Sequence, residues 1–343
     1  MTRKVLIFWE GFPVCGLLVS ELLTKTGLEI DLYSTRPSVP FSNFFTEYGI
    51  CPKVIAENEV IDLDPTQFDL IVITGWSNKN WLSFAKIARK SGVKTCVVVD
   101  NNLRFSLRQI FGAIYFRLFL RKYFTFSYCP GYLSKMLMTI FGMPRSNIII
   151  GNYGAHSSVF NYDPVQKKRE EFIVVGQLIE RKGISELLAA YEEYRNLGGK
   201  WELRLIGSGD LREKVQEFKM RCEGFIFEDF LQPTEVAARL KVAKVLILPS
   251  RLEHWGTIVC EAAACGTGLL LSDKVGSVPD MLLPGVNGLT FRSGDYKSLR
   301  IAMQKISAQS EDWFAMASQI SQRIASTRTE DTYANAIRFM LDD

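Results

Sequence analysis

Short, unbroken runs of Val, Ile and Leu recur along the whole chain, separated by stretches of helical periodicity. In the first half they are Val5–Trp9, Glu29–Tyr33, Leu70–Thr74, Thr95–Val99 and Ile148–Ile150. In the second half they are Phe172–Val175, Glu202–Ile206, Phe225–Phe227, Lys244–Leu248 and Gly268–Ser272. A strand with one wet face alternates apolar and polar residues. Continuous apolar runs suit strands buried on both faces, as in parallel sheets. Parallel strands need helical crossovers, and the intervening stretches supply them. Ile184, Leu187, Leu188 and Tyr191 fall at the i, i+3, i+4, i+7 spacing of one helix face. Leu17, Leu18 and Leu22 follow the same spacing, with Glu21 as a polar exception. The β-α-β order, read twice, predicts an α/β chain of two Rossmann-like doubly wound domains.

The length of 343 residues agrees, at roughly 150 residues per domain. The polar stretch Asn161–Glu170 contains Pro164 and precedes a fresh strand, so it is the expected boundary. It divides an N-terminal domain over 1–162 from a C-terminal domain over 168–327. A last helix from about Thr329 to Leu341 places Tyr333, Ala336, Ile337 and Met340 on one face. Residues 328–343 are therefore able to pack back on the first domain.

Several chemistries are excluded by what is scarce. Only His156 and His254 are present, no GxSxG occurs, and a His-based metal cluster lacks ligands. The cysteine count is seven, an odd number, and no pair is spaced CxxC. Neither a disulfide framework nor a zinc knuckle fits, and a reducing cytoplasm is the expected setting. The opening run VLIFW is too short for a signal peptide, and no stretch of about 18 apolar residues is uninterrupted. The formal net charge is only +4, but it is unevenly spread. Residues 70–160 hold 12 Lys/Arg and the single acid Asp100. Such a block faces something anionic.

Chemistry-bearing motifs lie between 172 and 290. After the run ending at Val175, a loop holds Gly176, Gln177, Arg181, Lys182 and Gly183, and a helix begins near Ser185. Two cations beside a helix N-terminus form an anion site, because the helix N–H groups and dipole add to their charge. A solvated loop with two surface cations reads from the same letters. Gly207 and Gly209 in IGSGD follow a strand and permit close approach of a ligand to the backbone, or simply make a tight turn. In LPSRLEHWGTIVCEAAACG, Glu253, His254, Trp255, Gly256 and Thr257 precede or open a helix that carries Glu261. Carboxylates accept hydrogen bonds from paired hydroxyls, as on a sugar or a ribose. Read structurally, Glu261 is a helix-surface acid and Glu253 a first-turn acid favoured by the dipole.

Together, GQLIERKG, IGSGD and PSRLEHWGTIVCEAAACG, with Glu253 and Glu261 spaced as E-x7-E, resemble the family 4 (group 1) retaining glycosyltransferases of the GT-B fold. The likeness is close over residues 168–305 and general before them. It implies two Rossmann-like domains facing a cleft, with the sugar donor held by the second. By that resemblance Arg181 and Lys182 hold the donor diphosphate, and Glu253 and the backbone of His254–Thr257 hold the sugar. Glu261 holds the ribose. Gly11, Gly176, Gln177, Gly207 and Gly209 lie along the nucleotide sugar, with Phe230 and Leu231 beside the base. The implied reaction is a hexosyltransferase-type transfer from a UDP-, GDP- or similar nucleotide sugar, with no metal and no other cofactor. Three departures from the family bear on this. Gln177 stands where many members have Arg, the loop GFPVCG lacks adjacent glycines, and the strand at Val97–Val99 is followed by Asp100 rather than His. Asp100 is then the candidate to orient the acceptor, or the donor phosphate takes the acceptor proton.

Weaker signals are read structurally. Asp62-Leu63-Asp64 is a DxD in an acidic loop before Pro65, a solvated loop rather than a metal site. His156 is a packed or hinge residue. The block 103–128 carries Arg104, Arg108, Arg117, Arg121 and Lys122 among aromatics, with apolar residues on all sides. Peripheral contact with an anionic membrane is expected there, and nucleic acid is not, since no recognised module appears. The expected acceptor is a saccharide or lipid-linked saccharide of surface polysaccharide (O-antigen, capsule or lipopolysaccharide) synthesis, with the protein on the inner face of the membrane. The rival readings are a sugar-nucleotide epimerase or phosphorylase of the same fold, and a non-catalytic partner subunit.

Overall fold

The computed structural model describes residues 2–10, 27–35, 53–56, 59 and 61–343. Gly11 and the Leu17–Leu22 pattern lie outside the described residues. Among the described residues, thirteen strands form two parallel sheets. The first contains β1 (Lys4–Trp9), β2 (Glu29–Ser34), β3 (Lys53–Val54), β4 (Leu70–Thr74), β5 (Lys94–Val98), β6 (Phe126–Cys129) and β7 (Ile148–Ile150), in the order β3-β2-β1-β4-β5-β6-β7. The second contains β8 (Arg169–Val175), β9 (Glu202–Ile206), β10 (Phe225–Glu228), β11 (Ala243–Leu248), β12 (Gly268–Ser272) and β13 (Gly288–Phe291), in the order β10-β9-β8-β11-β12-β13. Each order reverses once, between β1 and β4 and between β8 and β11. This is the doubly wound α/β arrangement that the apolar runs predict.

The chain divides into one unit of Met1–Gly154 with Arg328–Asp343 and a second of Ala155–Thr327. The division falls before Asn161–Glu170, because the residues after Gly154 already pack with the second unit. The Tyr162 ring lies so close to Gly266 that a Cβ there would stand 2.4 Å from it. Lys168, polar and in the expected linker, is half-buried immediately before β8. Its Nζ donates to the carbonyls of Lys241, Ala243 and Cys265, each at 3.2 Å.

In the first unit the sheet is covered on both faces. Leu6, Phe8, Ile71 and Ile73 pack against Trp81, Phe84 and Phe116 on one side. Their neighbours Val5, Ile7, Leu70 and Val72 meet Tyr333, Ile337 and Met340 on the other. Those last three lie on the C-terminal helix Glu330–Asp342, which therefore completes the sheet formed by the first part of the chain. Arg328 at its entry donates to the carbonyl of Pro130.

The basic aromatic block resolves into two elements. Helix Leu107–Tyr115 runs into a π-helical turn over Phe116–Leu120, and Phe126–Cys129 forms β6. The apolar residues seen on all sides are thus two stripes. Phe116 and Leu120 are buried against the sheet, while Leu107, Ile110, Phe111, Ile114, Leu118 and Phe119 remain exposed.

The second unit buries an ion network that no motif announces. Glu171 is fully buried, and its carboxylate receives both Nε and Nη2 of Arg204, at 3.0 and 2.9 Å. Arg204 also pairs with Glu228, which accepts Arg239 Nη2 at 2.8 Å. Arg239 and Arg204 hold the Glu228 carboxyl below the usual carboxylate range. Breaking such a pair strands a buried charge. Arg204→Met is expected to destabilise by about 3 kcal/mol, and adding Glu171→Leu is expected to recover much of it. Urea unfolding of the two variants checks this. Equal stability of the single variant and the wild type would remove the network from the account.

Candidate active site

The sequence-predicted residues of the second unit gather on the carboxyl edge of its sheet. Gly176 and Gln177 follow β8, Gly207 and Gly209 follow β9, Phe230 and Leu231 follow β10, and Glu253–Thr257 follow β11. Ligands of open α/β sheets bind at this edge, beside the point where the strand order reverses. Here that point lies between β8 and β11. Asp100 follows β5 and belongs to the other unit.

Two backbone crossings build the edge. The loops after β8 and β9 interlock: Gly176 N donates to Ile206 O at 3.0 Å and Leu178 N to Ser208 O at 2.8 Å. A Cβ on Gly207 would stand 1.8 Å from the carbonyl oxygen of Gly176. Both partners are backbone, so neither yields. Gly207→Ala is therefore expected to lower stability by about 2–3 kcal/mol and to disturb both loops, read from its melting temperature and from nucleotide binding. Gly183 makes the second crossing. Its φ is +71°, and a Cβ would lie 2.1 Å from Pro249 O. This glycine lets the loop after β8 touch the loop after β11.

That contact brings Lys182 and Glu253 together. Lys182 Nζ pairs with Glu253 Oε2, and the two side chains are 18% and 11% exposed. The pair bridges the reversal point, half-buried, at the mouth of helix Thr257–Ala264. Gly256, at φ +83°, is the N-cap of that helix, and no side chain caps its first N–H groups. Arg181 is aimed differently from Lys182. Its Nη1 donates to Leu252 O at 2.8 Å, and its own carbonyl accepts Arg251 N at 2.9 Å. Arg181 thus ties the two loops together. Gln177, in the position where the family often has Arg, is exposed.

Glu261 lies within helix Thr257–Ala264 and is 8% exposed. Burial pushes its carboxyl up to about 7. A carboxyl in that condition is poised to ionise when a ligand supplies hydroxyl donors.

Sequence reasoning assigned no role to Ser250, yet it orients Glu253. Its Oγ donates to Glu253 Oε2 at 3.2 Å, while its carbonyl accepts Ser272 Oγ at 2.6 Å. The backbone of Glu253 is held as well, donating to Lys274 O at 3.2 Å and accepting from Gly276 N at 3.1 Å. Asp64 of the DxD caps its own loop, accepting Thr66 N at 2.9 Å. Among the described residues, no cluster of three or more His, Cys, Asp or Glu side chains could hold a metal.

Comparison with known proteins fits this geometry. Residues 160–323 match the family described as "Glycosyl transferases group 1". A glycogen synthase of Mycobacterium tuberculosis is 25% identical over 213 residues, 61% of this chain. The match spans about half the length of that relative, 51%. Among solved structures, Anabaena HepE in complex with UDP and glucose aligns with a TM-score of 0.74 at 14% identity, over 99% of both chains. The lipopolysaccharide outer core galactosyltransferase WaaB aligns with a TM-score of 0.66 at 16% identity, over 98% of this chain and 99% of that one. Two parallel sheets and the matched segment lead to one conclusion: residues 160–323 match the group 1 glycosyltransferase family, and the fold of the chain is GT-B.

Proposed function

We propose that this protein transfers a sugar, with retention of anomeric configuration, from a nucleoside diphosphate sugar to a hydroxyl of a saccharide or lipid-linked saccharide, without a metal. The observation that carries the reading is the Lys182–Glu253 pair at the reversal point, against the N-terminus of helix Thr257–Ala264. Cleavage of a glycosyl phosphate puts negative charge on the departing diphosphate and positive charge on the sugar. Lys182 and the helix N–H groups answer the first, in place of a divalent ion. Glu253 accepts hydroxyls of the sugar, and Glu261 those of the ribose. The departing phosphate oxygen takes the acceptor proton on the face it leaves, so no His base is needed. Asp100 orients the acceptor. HepE, crystallised with UDP and glucose, and WaaB, a galactosyltransferase, share the fold and support this class of donor.

The test is a turnover assay of the full chain with UDP-, GDP- and ADP-sugars and a mixed oligosaccharide and lipid-extract acceptor pool, with and without EDTA. One donor is expected to be consumed at equal rate in both, yielding a product of unchanged anomeric configuration. Loss of turnover with EDTA, or an inverted product, would overturn the mechanism. Conversion of the donor with no acceptor present would favour an epimerase. Asp100→Asn is expected to lower the rate by no more than about tenfold, since an orienting group contributes less than an obligatory base.

A further inference from the structure

Helix Leu107–Tyr115 and the π-helical turn after it carry an apolar face on the outside of the first unit. At 100° per residue, Leu107, Ile110, Phe111, Ile114 and Leu118 fall within an arc of about 100°, opposite Phe116. Phe116 is fully buried in the core, whereas those five side chains are 52–73% exposed. Exposed apolar residues scattered singly are ordinary, but a contiguous stripe on one helix marks an interaction surface. Arg108 and Arg117 flank the stripe on its two sides. No Asp or Glu occurs between Asp100 and Asp163. A surface of one sign, apolar along its middle and cationic at its rims, is complementary to anionic headgroups over an acyl layer.

We propose that this helix is a membrane-docking face, lying flat on an anionic bilayer with Phe111, Ile114 and Leu118 inserted at the headgroup boundary and the flanking arginines against lipid phosphates. The inference stands on this helix alone and does not need the donor-site reading. It also gives that reading a geometry within the first unit. Gln109 clamps the loop after β5 to the helix: its Nε2 donates to Asn102 O at 2.5 Å, and its Oε1 accepts Arg104 N at 2.8 Å. The loop that begins at Asp100 is therefore held next to the docked face, where a lipid-linked acceptor would present its sugar.

The experiment is flotation of the full chain with vesicles of phosphatidylcholine alone or mixed with phosphatidylglycerol. Binding is expected to the mixed vesicles. Phe111→Ser with Leu118→Ser is expected to weaken it at least about tenfold, and Arg108→Gln about fivefold. All three side chains are exposed, so melting temperatures and donor stabilisation should stay at wild-type values, which separates loss of docking from loss of the donor site. Phe111→Trp should show a blue-shifted emission on the mixed vesicles that brominated lipid quenches. Equal flotation of the double variant and the wild type would overturn the proposal. So would emission from the Phe111→Trp variant that brominated lipid leaves unquenched, or self-association in solution that the double variant abolishes while the wild type ignores the vesicles.

Discussion

Lys182→Ala is expected to slow sugar transfer by on the order of a thousandfold, with a melting temperature within a few degrees of wild type. The side chain is only 18% exposed, but Ser250 Oγ still donates to Glu253 Oε2 once the ammonium is gone, so a modest loss of stability is expected and the fold is kept. Its contribution is concentrated in the step where the diphosphate departs. The loss should fall mainly on kcat, because Glu253 competes for the ammonium in the ground state and yields it as charge develops on the leaving group. Lys182→Arg keeps the charge but replaces a compact ammonium by a planar fork, and should recover only part of the rate. Glu253→Gln tests the other half of the pair. It retains the shape and the contact with Ser250 but weakens acceptance of the sugar hydroxyls, with a loss of roughly a hundredfold. Steady-state kinetics on the three variants decides the matter. Unchanged kcat in Lys182→Ala would remove the ammonium from the chemistry.

Glu261 yields the second large effect, on stability and on binding at once. An ordinary glutamate loses its proton near pH 4.3, and in the folded chain this carboxyl holds it to about 7. Between those values the folded state binds a proton that the unfolded state has lost. Stability contributed by this group therefore falls as pH rises from about 4.3 to 7, and is level above. Glu261→Gln should abolish that slope and be more stable than wild type at pH 8, by about 3 kcal/mol. If Glu261 accepts the ribose hydroxyls as proposed, the same variant should bind donor at least about tenfold more weakly. In the wild type, binding at pH 6.5 should release a proton as the hydroxyls stabilise the ionised form. Calorimetry in two buffers of different ionisation enthalpy reads that proton directly. A buffer-independent enthalpy and an affinity untouched by Glu261→Gln would show that the helix acid never meets the donor.

Much of the architecture was written in local pattern. Runs such as Leu70–Thr74 and Gly268–Ser272 are continuous because both faces of their sheets are covered, and each is a strand in the structure. Three strands escaped notice for separate reasons. Lys53–Val54 is only two residues long. Gly288–Phe291 is four residues at the sheet edge, with little apolar length to stand out. Phe126–Cys129 continues an aromatic stretch whose first part is helical, so no change of composition marks where one period ends and the other begins. That helix also defeated a reading from periodicity, since two apolar stripes on opposite sides look like none. At the site, residues whose role is a backbone conformation were legible, because glycine after a strand has a local meaning. The Ser250 to Glu253 contact depends on spatial neighbours and left no such mark. The same is true of Arg204, whose partners Glu171 and Glu228 come from two other strands.

The return of Glu330–Asp342 to the first sheet reverses the order in which the chain can be finished as it is made. Unit 1 opens with the N-terminal residues, but its last structural layer is translated after every residue of unit 2. The later-made unit therefore has all its parts first, while Val5, Leu70 and Val72 wait with one face uncovered for Tyr333, Ile337 and Met340. On the ribosome, the half that carries the proposed donor site is complete before the half that opened the chain.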